Sequence, residues 1–315
     1  MKKIVVIGGG TGTFTVLSGL KKLTKNLSAI VAMSDSGGSS GTLRDELGVL
    51  PPGDIRRCLV ALSNSDQLMR DLFNYRFQNG GLQNHPFGNL LLSSLEKITG
   101  SFEAAVARAS EILAIDGQVI PVTTDKTNLC ARLENGNIIK GETNIDVPKH
   151  DGNLAIQEVW LEPNARATKK ALQAIKEADI IIIGPGDLYT SVLPNLLVGG
   201  IVAAIRKSRA KNIYICNLMT KYGETNGFSV SDFAAAIEKY LGKNVLDYII
   251  YNTGKLPPKL LKKYAGEKEA PVKMLLSVNE NKKNKLKYIG ADVAGHKTLI
   301  RHDADRLARL IIKLG

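Results

Sequence analysis

The stretch Ile4-Val5-Val6-Ile7-Gly8-Gly9-Gly10-Thr11-Gly12 places a short apolar run directly before a glycine-rich turn. The pattern recurs twice: Ala29 to Met33 precedes a loop of glycine and serine, and Ile180 to Ile183 precedes Gly184-Pro185-Gly186-Asp187. In an open parallel α/β sheet, loops at the carboxyl ends of the strands meet at one crevice. Glycine exposes backbone N–H groups there, and a following helix adds partial positive charge, which favours phosphate. The three loops therefore predict a nucleotide-type ligand.

Strand and helix patterns alternate along most of the chain, which predicts an α/β fold with a mostly parallel sheet covered by helices. A mainly helical section is expected at about 54–115. At about 128–162, two strands flank Asn135-Gly136, a dipeptide suited to a type I′ turn, and a third strand follows. We expect this part to be a small antiparallel appendage on the main sheet. The alternation then returns with the strand Ile180 to Ile183 and a helix from Val192 to Ile205, so we predict a single domain over 1–315.

Composition bounds the class of protein. The 315 residues are 44% hydrophobic and 23% charged, which is typical of a globular protein. The apolar stretch Leu193 to Ile205 is shorter than the roughly 20 residues that span a bilayer, and the N-terminal apolar run is too short for a signal peptide. Cys58, Cys130 and Cys216 are far apart and odd in number, so we predict reduced, buried thiols. A cytoplasmic protein without membrane insertion is expected.

The net charge of +12 is concentrated in a lysine-rich C-terminal part, 255–315. Between Lys255 and Lys287 there are ten lysines and three glutamates, a balance that suits an acidic ligand. The same stretch lacks arginine, and Tyr264 is its one aromatic residue. This composition argues against a nucleic-acid partner.

The first glycine loop departs from two known phosphate-binding patterns. Thr13 and Thr15 stand where the dinucleotide fingerprint needs its third glycine, and no Gly-Lys-Ser/Thr follows as in a P-loop. The remaining interpretation is a tight turn that presents backbone N–H groups to a phosphate, with the Thr11 and Thr13 hydroxyls beside them. The alternative is a turn that only packs a helix on a strand. The candidate ligand-binding residues here are Gly9, Gly10, Thr11 and Gly12.

The second loop combines an acid with a row of donors. Asp35 follows the second predicted strand, where it could bind a ribose or hold Mg²⁺, or serve only as a helix cap or Asx-turn. The residues after it offer N–H and O–H groups to an anion, and they are Gly37, Gly38, Ser39 and Ser40.

Further candidates follow other turns and strands. Pro51-Pro52-Gly53 precedes Asp54, Arg56 and Arg57, which could face the crevice or be only a helix N-cap and surface charges. A later helix start carries His85 and Asn89, which could also face the crevice, with a structural role as the alternative for the histidine. The third glycine loop and the strands after it supply Gly184, Pro185, Gly186, Asp187, Tyr189, Asn217 and Thr220. No nucleophile elbow and no zinc-type ligand set occur, so neither covalent nor zinc catalysis is supported.

Several of these motifs together carry a family resemblance. They are IGGGTG at 7–12, SDSGGSSGTLRDELGVLPPGDIRRCLVALS at 34–63, HPFGNLLL at 85–92, GPGDLYTSVLPNLLV at 184–198 and CNLMTKYGETNGF at 216–228. The chain resembles the YvcK-type gluconeogenesis factors, within the superfamily of 2-phospho-L-lactate transferase (CofD-like) proteins. The resemblance implies a Rossmann-like CofD fold and a cytoplasmic regulatory factor that supports cell shape and wall-precursor supply during gluconeogenic growth.

The resemblance also implies ligands and partners. Family members bind UDP-sugars, notably UDP-N-acetylglucosamine, and can hold NAD(P) in the same crevice, with no required cofactor. The family contacts carry over to Tyr264, which could stack on uracil, and Arg301, which could bind the diphosphate through its guanidinium fork. A partner enzyme of amino-sugar or wall-precursor metabolism is implied, and homo-oligomerisation is left open.

Two departures from the family pattern bear on the ligand. Ser36 follows Asp35 where a second acid is usual, which weakens a Mg²⁺ site, and Asp187 stands where serine is usual. Asp187 either selects a different ligand or caps the next helix. One alternative function is a Mg²⁺-dependent transferase of a phosphate-bearing group, with Asp35 or Asp54 at the metal and Arg56 or Arg301 on the phosphate. Another is an NAD(P)-dependent oxidoreductase, against which the broken third glycine counts.

Overall fold

The computed structural model describes residues 2–275, 286–295 and 298–315. Its N-terminal half begins with strands and helices that alternate, and then continues through consecutive helices before the next strand. These elements are β1 (Ile4–Gly8), α1 (Gly10–Leu20), β2 (Leu27–Val31), α2 (Gly38–Leu47), α3 (Gly53–Leu62), α4 (Gln67–Asn74), α5 (Phe87–Thr99), α6 (Phe102–Ile112) and β3 (Gln118–Pro121). The predicted helical section is therefore present, with a short 3₁₀ turn at Gly80–Leu82.

A small antiparallel sheet follows, with one short helix inside it. Its elements are β4 (Asn128–Leu133), β5 (Ile138–Lys140), α7 (Glu142–Asp146) and β6 (Ile156–Glu162). The strand order β5-β4-β6 forms a sheet separate from the main one. The predicted type I′ turn is wrong. Such a turn needs a positive φ at both central residues, and here Gly136 has a φ of 87° while the φ of Asn135 is not positive.

The alternation of strand and helix returns in the C-terminal half. Its elements are α8 (Lys169–Glu177), β7 (Ile180–Ile183), α9 (Leu193–Leu197), α10 (Ile201–Lys207), β8 (Lys211–Ile215), α11 (Val230–Leu241), β9 (Tyr248–Asn252), α12 (Pro258–Gly266), β10 (Lys287–Ala291), β11 (Ala294–Gly295), β12 (Arg301–His302) and α13 (Ala304–Leu314). Part of the predicted lysine-rich stretch, 276–285, lies outside the described residues.

One predicted helix is divided in the structure. The sequence pattern indicates a continuous helix from Val192 to Ile205, but a π-helical turn at Leu188–Val192 leads into α9, and α10 begins only at Ile201. Gly200, with a φ of 101°, lies between the two helices. A left-handed residue cannot continue a right-handed helix, so the chain turns there.

In the described part of the chain, the main sheet is parallel and has seven strands in the order β10-β9-β8-β7-β1-β2-β3. All four residues of β7 are buried isoleucines, and β1 is buried over its whole length. Helices cover both faces, which is why these strands are apolar without alternation. The fold is therefore the predicted α/β class, with a Rossmann-like sheet, a helical section and an antiparallel sheet.

The direction in which the sheet is built reverses between β1 and β7. From β1 the chain proceeds through β2 to β3 on one side, and from β7 through β8, β9 and β10 on the other. Ligands of open α/β sheets bind outside the carboxyl ends of strands at such a reversal. The loops after β1 and β7 are the first and third predicted glycine loops, so the topology brings them together.

Local signals explain where the helices begin. Ser101, Thr168 and Ser229 each accept a hydrogen bond from a backbone N–H in the first turn of α6, α8 and α11. Within the described residues, no helix combines the length and the apolar character that crossing a membrane requires. Cys58, Cys130 and Cys216 are free and buried, as predicted.

Candidate functional site

The glycine runs are the first turns of helices rather than loops that precede them. α1 begins at Gly10 and α2 at Gly38, inside the runs that the sequence pattern assigns to loops. α3 begins at Gly53, and all three starts line the same cavity. The first N–H groups of a helix have no partner inside the helix and carry partial positive charge. Three helix N-termini therefore converge on one space.

This first cavity has a volume of about 510 Å³. It lies at the carboxyl ends of β1, β2 and β7, under the antiparallel sheet's helix α7. The predicted site residues that line it are Gly9, Gly10, Thr11, Gly12, Asp35, Gly37, Gly38, Ser39, Ser40, Asp54, Arg56, Asn89, Gly186 and Asp187. Arg57, Arg76 and Glu142 also line it, although only Arg57 was noted from the sequence.

A second cavity of about 260 Å³ adjoins the first. The predicted residues that line it are Thr11, Gly12, Pro185, Gly186, Asp187, Asn217, Thr220, Tyr264 and Arg301. Four residues line both cavities, and we call them the rim: Thr11, Gly12, Gly186 and Asp187. The rim is the meeting point of the loops after β1 and β7.

Gly12 shows why the rim needs glycine. A Cβ atom at Gly12 would overlap the carbonyl oxygen of Pro185 and crowd the backbone of Gly186. Neither neighbour is a flexible side chain that could move away. The two loops are in contact here only because Gly12 has no side chain.

Asp54 is a largely buried acid that lines the first cavity, with its side chain 14% exposed. Burial, and then the charge of Asp35, raises the pKa of Asp54 from 3.8 to about 6. The backbone N–H of Gly10 donates to its carboxylate and Arg57 Nη1 lies 3.4 Å from Oδ1, and both act in the opposite direction. Asp54 follows the N-cap Pro52, so it does not cap α3. Its carboxylate instead bridges the starts of α1 and α3.

Asp35 forms a local turn and has a second acid beside it. Its Oδ1 accepts from the N–H of Gly37 at 2.9 Å, which is the Asx-turn among the alternatives for this residue. Glu142 Oε2 accepts from the N–H of Ser36 at 3.3 Å. Burial, and then the charges of Asp35 and Asp146, raises the pKa of Glu142 to about 7. Glu142 lies on α7, distant in sequence, and no motif signalled it.

A buried hydrogen-bond chain holds Ser39 in the first cavity. Arg56 is 6% exposed, and its Nε donates to Asn89 Oδ1 at 2.9 Å. Asn89 Nδ2 donates to Ser39 Oγ at 3.1 Å, and Ser39 Oγ lies 2.9 Å from His85 Nδ1. Burial lowers the pKa of Arg56 to about 10, so the guanidinium stays charged at neutral pH. His85 lines neither cavity, and its contact with Ser39 is made outside the cavity lining.

Two other predicted ligand residues also lie outside the cavities. Tyr189 is 5% exposed, and its hydroxyl donates to the carbonyl of Ile156 at 3.4 Å, because the π-helical turn directs the ring into the core. Gly184 has a φ of 75° and lies against the carbonyl of Ile215. The structure thus places Tyr189 in the core beneath the loop and Gly184 in the turn itself, outside the lining of both cavities.

The second cavity combines apolar walls with polar groups. Tyr264 packs with Leu218, Met219 and Ile300, and its hydroxyl accepts from the N–H of Ile300 at 3.2 Å. Arg301 is exposed; it comes directly after Ile300 and is the first residue of β12. His302 was not a candidate, but it lines this cavity as well. Burial lowers the pKa of His302 to about 4, so its ring is neutral.

Asp187 does not act as the helix cap that the sequence left open. It precedes the turn 188–192 but makes no side-chain cap bond there. Its Oδ2 accepts from Lys221 Nζ at 3.0 Å, and Lys221 also contacts Asp146 and Glu224. Asp146, Asp187 and Glu224 are the only three carboxylates that approach a metal-like arrangement within the described residues, and the Lys221 ammonium contacts all of them. Asp35 is not part of this group.

Comparison with known proteins assigns the family. The family model described as 2-phospho-L-lactate transferase CofD matches residues 4–294. A relative from Clostridium acetobutylicum is 46% identical and covers 99% of this chain and 69% of its own length. The gluconeogenesis factor of Bacillus subtilis is 40% identical and covers 99% of this chain and 98% of its own. A crystal structure of a UPF0052 family member from Bacillus halodurans superposes with a TM-score of 0.93 at 40% identity, covering 99% of both chains. The chain belongs to the CofD family, in the group of the gluconeogenesis factors.

Proposed function

We propose that this protein binds a nucleoside diphosphate sugar of the UDP-N-acetylglucosamine type across the two cavities. The observation that carries the proposal is the shared rim, where the glycine loops after β1 and β7 and the first turn of α1 lie between a polar cavity and a partly apolar one. A nucleoside diphosphate sugar has the matching order of parts: a base, a diphosphate and a sugar.

The second cavity suits the base. The Tyr264 ring lies among Leu218 and Met219, so one face of a flat heterocycle would find apolar partners there. Arg301, at the same cavity, offers a planar fork of donors for a phosphate. Backbone N–H groups at the start of α1 would meet the diphosphate as it crosses the rim.

The first cavity suits the sugar. Its walls offer hydroxyl, amide and carboxylate groups, among them Ser39, Asn89 and Asp54. Sugar hydroxyls both donate and accept hydrogen bonds, so they can pair with such a mixture. Because the pKa values of Asp54 and Glu142 are raised, both acids hold protons more readily than exposed carboxyls, which lessens their repulsion of a nearby diphosphate.

We further propose a regulatory role in the cytoplasm. Ligand binding would change the contact with a partner enzyme of amino-sugar or wall-precursor metabolism and so link cell shape to growth on gluconeogenic carbon. The name gluconeogenesis factor, carried by relatives such as that of Bacillus subtilis, supports this role rather than an enzymatic one.

A transferase is the second candidate, and the buried Asp54 favours it. A carboxylate with a pKa of about 6 inside a cavity can accept a proton near neutral pH, as a general base does. The oxygen donors of Asp35 and Asp54 are of the type that Mg²⁺ prefers, and the ion would neutralise phosphate charge when bound. The family model's description as a transferase agrees with this alternative.

The test is calorimetric titration with UDP-N-acetylglucosamine and NAD(P). Tyr264→Ala and Arg301→Ala should each weaken UDP-sugar binding by about tenfold or more. Arg309→Ala, which removes an exposed arginine from α13, is the matched control and should bind as the wild type does. Undiminished affinity in both cavity variants would contradict the proposal.

A second assay separates binding from catalysis. The protein is incubated with UDP-N-acetylglucosamine, Mg²⁺ and candidate hydroxyl acceptors, and released nucleotide is measured by chromatography. A binding protein leaves the ligand intact. Nucleotide release that disappears in Asp54→Asn would establish the transferase instead.

A further inference from the structure

Four charged side chains meet where the two cavities adjoin. Lys221 Nζ lies 3.0 Å from Asp187 Oδ2 and 3.5 Å from Glu224 Oε1, and it also contacts the carboxylate of Asp146. Asp146 lines the first cavity, Lys221 lines the second, and Asp187 lines both. A ligand that spans both cavities would therefore pass directly beside this group of charges.

Asp187 brings a negative charge to a rim that otherwise offers backbone N–H groups. Its side chain is 41% exposed, so the charge faces the space above the rim. A carboxylate at this position repels a phosphate unless a cation offsets it. Lys221 is the cation in contact with it among the described residues.

Lys221 remains charged despite its surroundings. Burial would lower the pKa of its ammonium, but the carboxylates of Glu224, Asp187 and Asp146 together raise that pKa above its ordinary value. Its side chain is 22% exposed and lines the second cavity, so a ligand can reach it. An anionic group on the rim would therefore lie close to an ammonium that partly offsets the three carboxylates around it.

We propose that Lys221, paired with Asp187, determines that the group crossing the rim is anionic. With Lys221 present, the rim accepts a diphosphate; without it, the uncompensated Asp187 and Asp146 carboxylates repel one. Part of the selectivity for a nucleoside diphosphate sugar over a free nucleoside would then come from this pair. The inference rests on the proposed function, in which one ligand spans both cavities.

The experiment compares wild type, Lys221→Gln, Asp187→Ser and the double variant by calorimetry with three probes: UDP-N-acetylglucosamine, uridine and inorganic diphosphate. Lys221→Gln should weaken the two diphosphate-bearing probes by about 30-fold or more, because it leaves carboxylates unpaired, and should leave uridine within about twofold. Asp187→Ser should bind them at least as tightly as the wild type. The double variant should regain about tenfold of the loss, because the repelling charge on the rim is gone.

The outcomes separate this inference from the proposed function. If the wild type binds inorganic diphosphate but not UDP-N-acetylglucosamine, the proposed function fails, while the diphosphate series still tests Lys221. Affinity of Lys221→Gln for diphosphate within about threefold of the wild type overturns the inference, and so does an equal loss for uridine. If Lys221→Gln does not fold, Lys221→Arg and Asp187→Ser decide: both should retain diphosphate binding, and a tenfold loss in Asp187→Ser overturns the inference.

Discussion

Replacing Asp54 by asparagine should stabilise the protein in a pH-dependent way. The pKa of Asp54 rises from 3.8 to about 6 on folding, chiefly because the carboxyl is buried. The folded state thus binds this proton more tightly than the unfolded state. The charged form therefore costs stability above pH 6, the cost shrinks as the pH falls from 6 to 3.8, and below that it vanishes.

The size of the effect follows from the two pKa values. One pKa unit corresponds to about 1.36 kcal/mol, so the ionised carboxylate costs about 3 kcal/mol at pH 8. Asparagine has nearly the same shape, and its carbonyl oxygen can still accept from the Gly10 N–H. We expect Asp54→Asn to raise the free energy of unfolding by about 2 to 3 kcal/mol at pH 8 and by under about 1 kcal/mol at pH 4.5.

The assay is denaturant unfolding at the two pH values, monitored by circular dichroism. Asp45→Asn, which removes an exposed carboxylate from α2, is the control and should change the free energy of unfolding by under about 0.5 kcal/mol at either pH. Equal stabilities of Asp54→Asn and wild type at pH 8, or the same difference at both pH values, would refute the account of this buried acid.

Three further predictions concern other parts of the site. Gly12→Ala should lower the free energy of unfolding by about 2 kcal/mol or more and weaken ligand binding, because the new Cβ overlaps the Pro185 carbonyl. Thermal unfolding and titration measure the two effects, and an unchanged melting temperature would contradict this prediction. Tyr189→Phe should leave ligand affinity unchanged and cost under about 1 kcal/mol in denaturant unfolding, since its hydroxyl faces the core; a tenfold affinity loss would restore it as a ligand residue. Arg56→Met should cost about 2 to 4 kcal/mol in the same unfolding assay because Asn89 loses its buried donor, and a neutral result would show that the chain holding Ser39 is not structural.

The sequence pattern predicts the sheet because its central strands are short, uninterrupted apolar runs. Four consecutive isoleucines at Ile180–Ile183 and the apolar run before Gly8 are typical of strands in a parallel sheet that helices cover on both faces. The glycine loops then had to lie at the carboxyl ends of those strands. Their convergence on one cavity followed from topology.

The sequence did not predict contacts made between distant segments. Glu142 and Asp146 come from the antiparallel sheet's helix, and nothing in their local pattern shows that they lie over Asp35 or against Lys221. Side-chain direction was equally hidden. Tyr189 stands in a glycine-rich motif, yet a π-helical turn points it into the core.

The sequence pattern assigns the glycine runs to loops, and glycine is a poor helix former. In the structure, Gly10 and Gly38 begin helices, where free N–H groups facing a cavity matter more than helix propensity. The candidate site therefore uses residues that the sequence pattern assigns to loops.

A crystal structure of the protein with UDP-N-acetylglucosamine would show whether one ligand spans both cavities. We predict uracil beside Tyr264 in the second cavity, the diphosphate on the rim within hydrogen-bond distance of the backbone around Gly12 and Gly186, and the sugar in the first cavity. A ligand confined to one cavity, or bound away from the rim, would contradict this prediction.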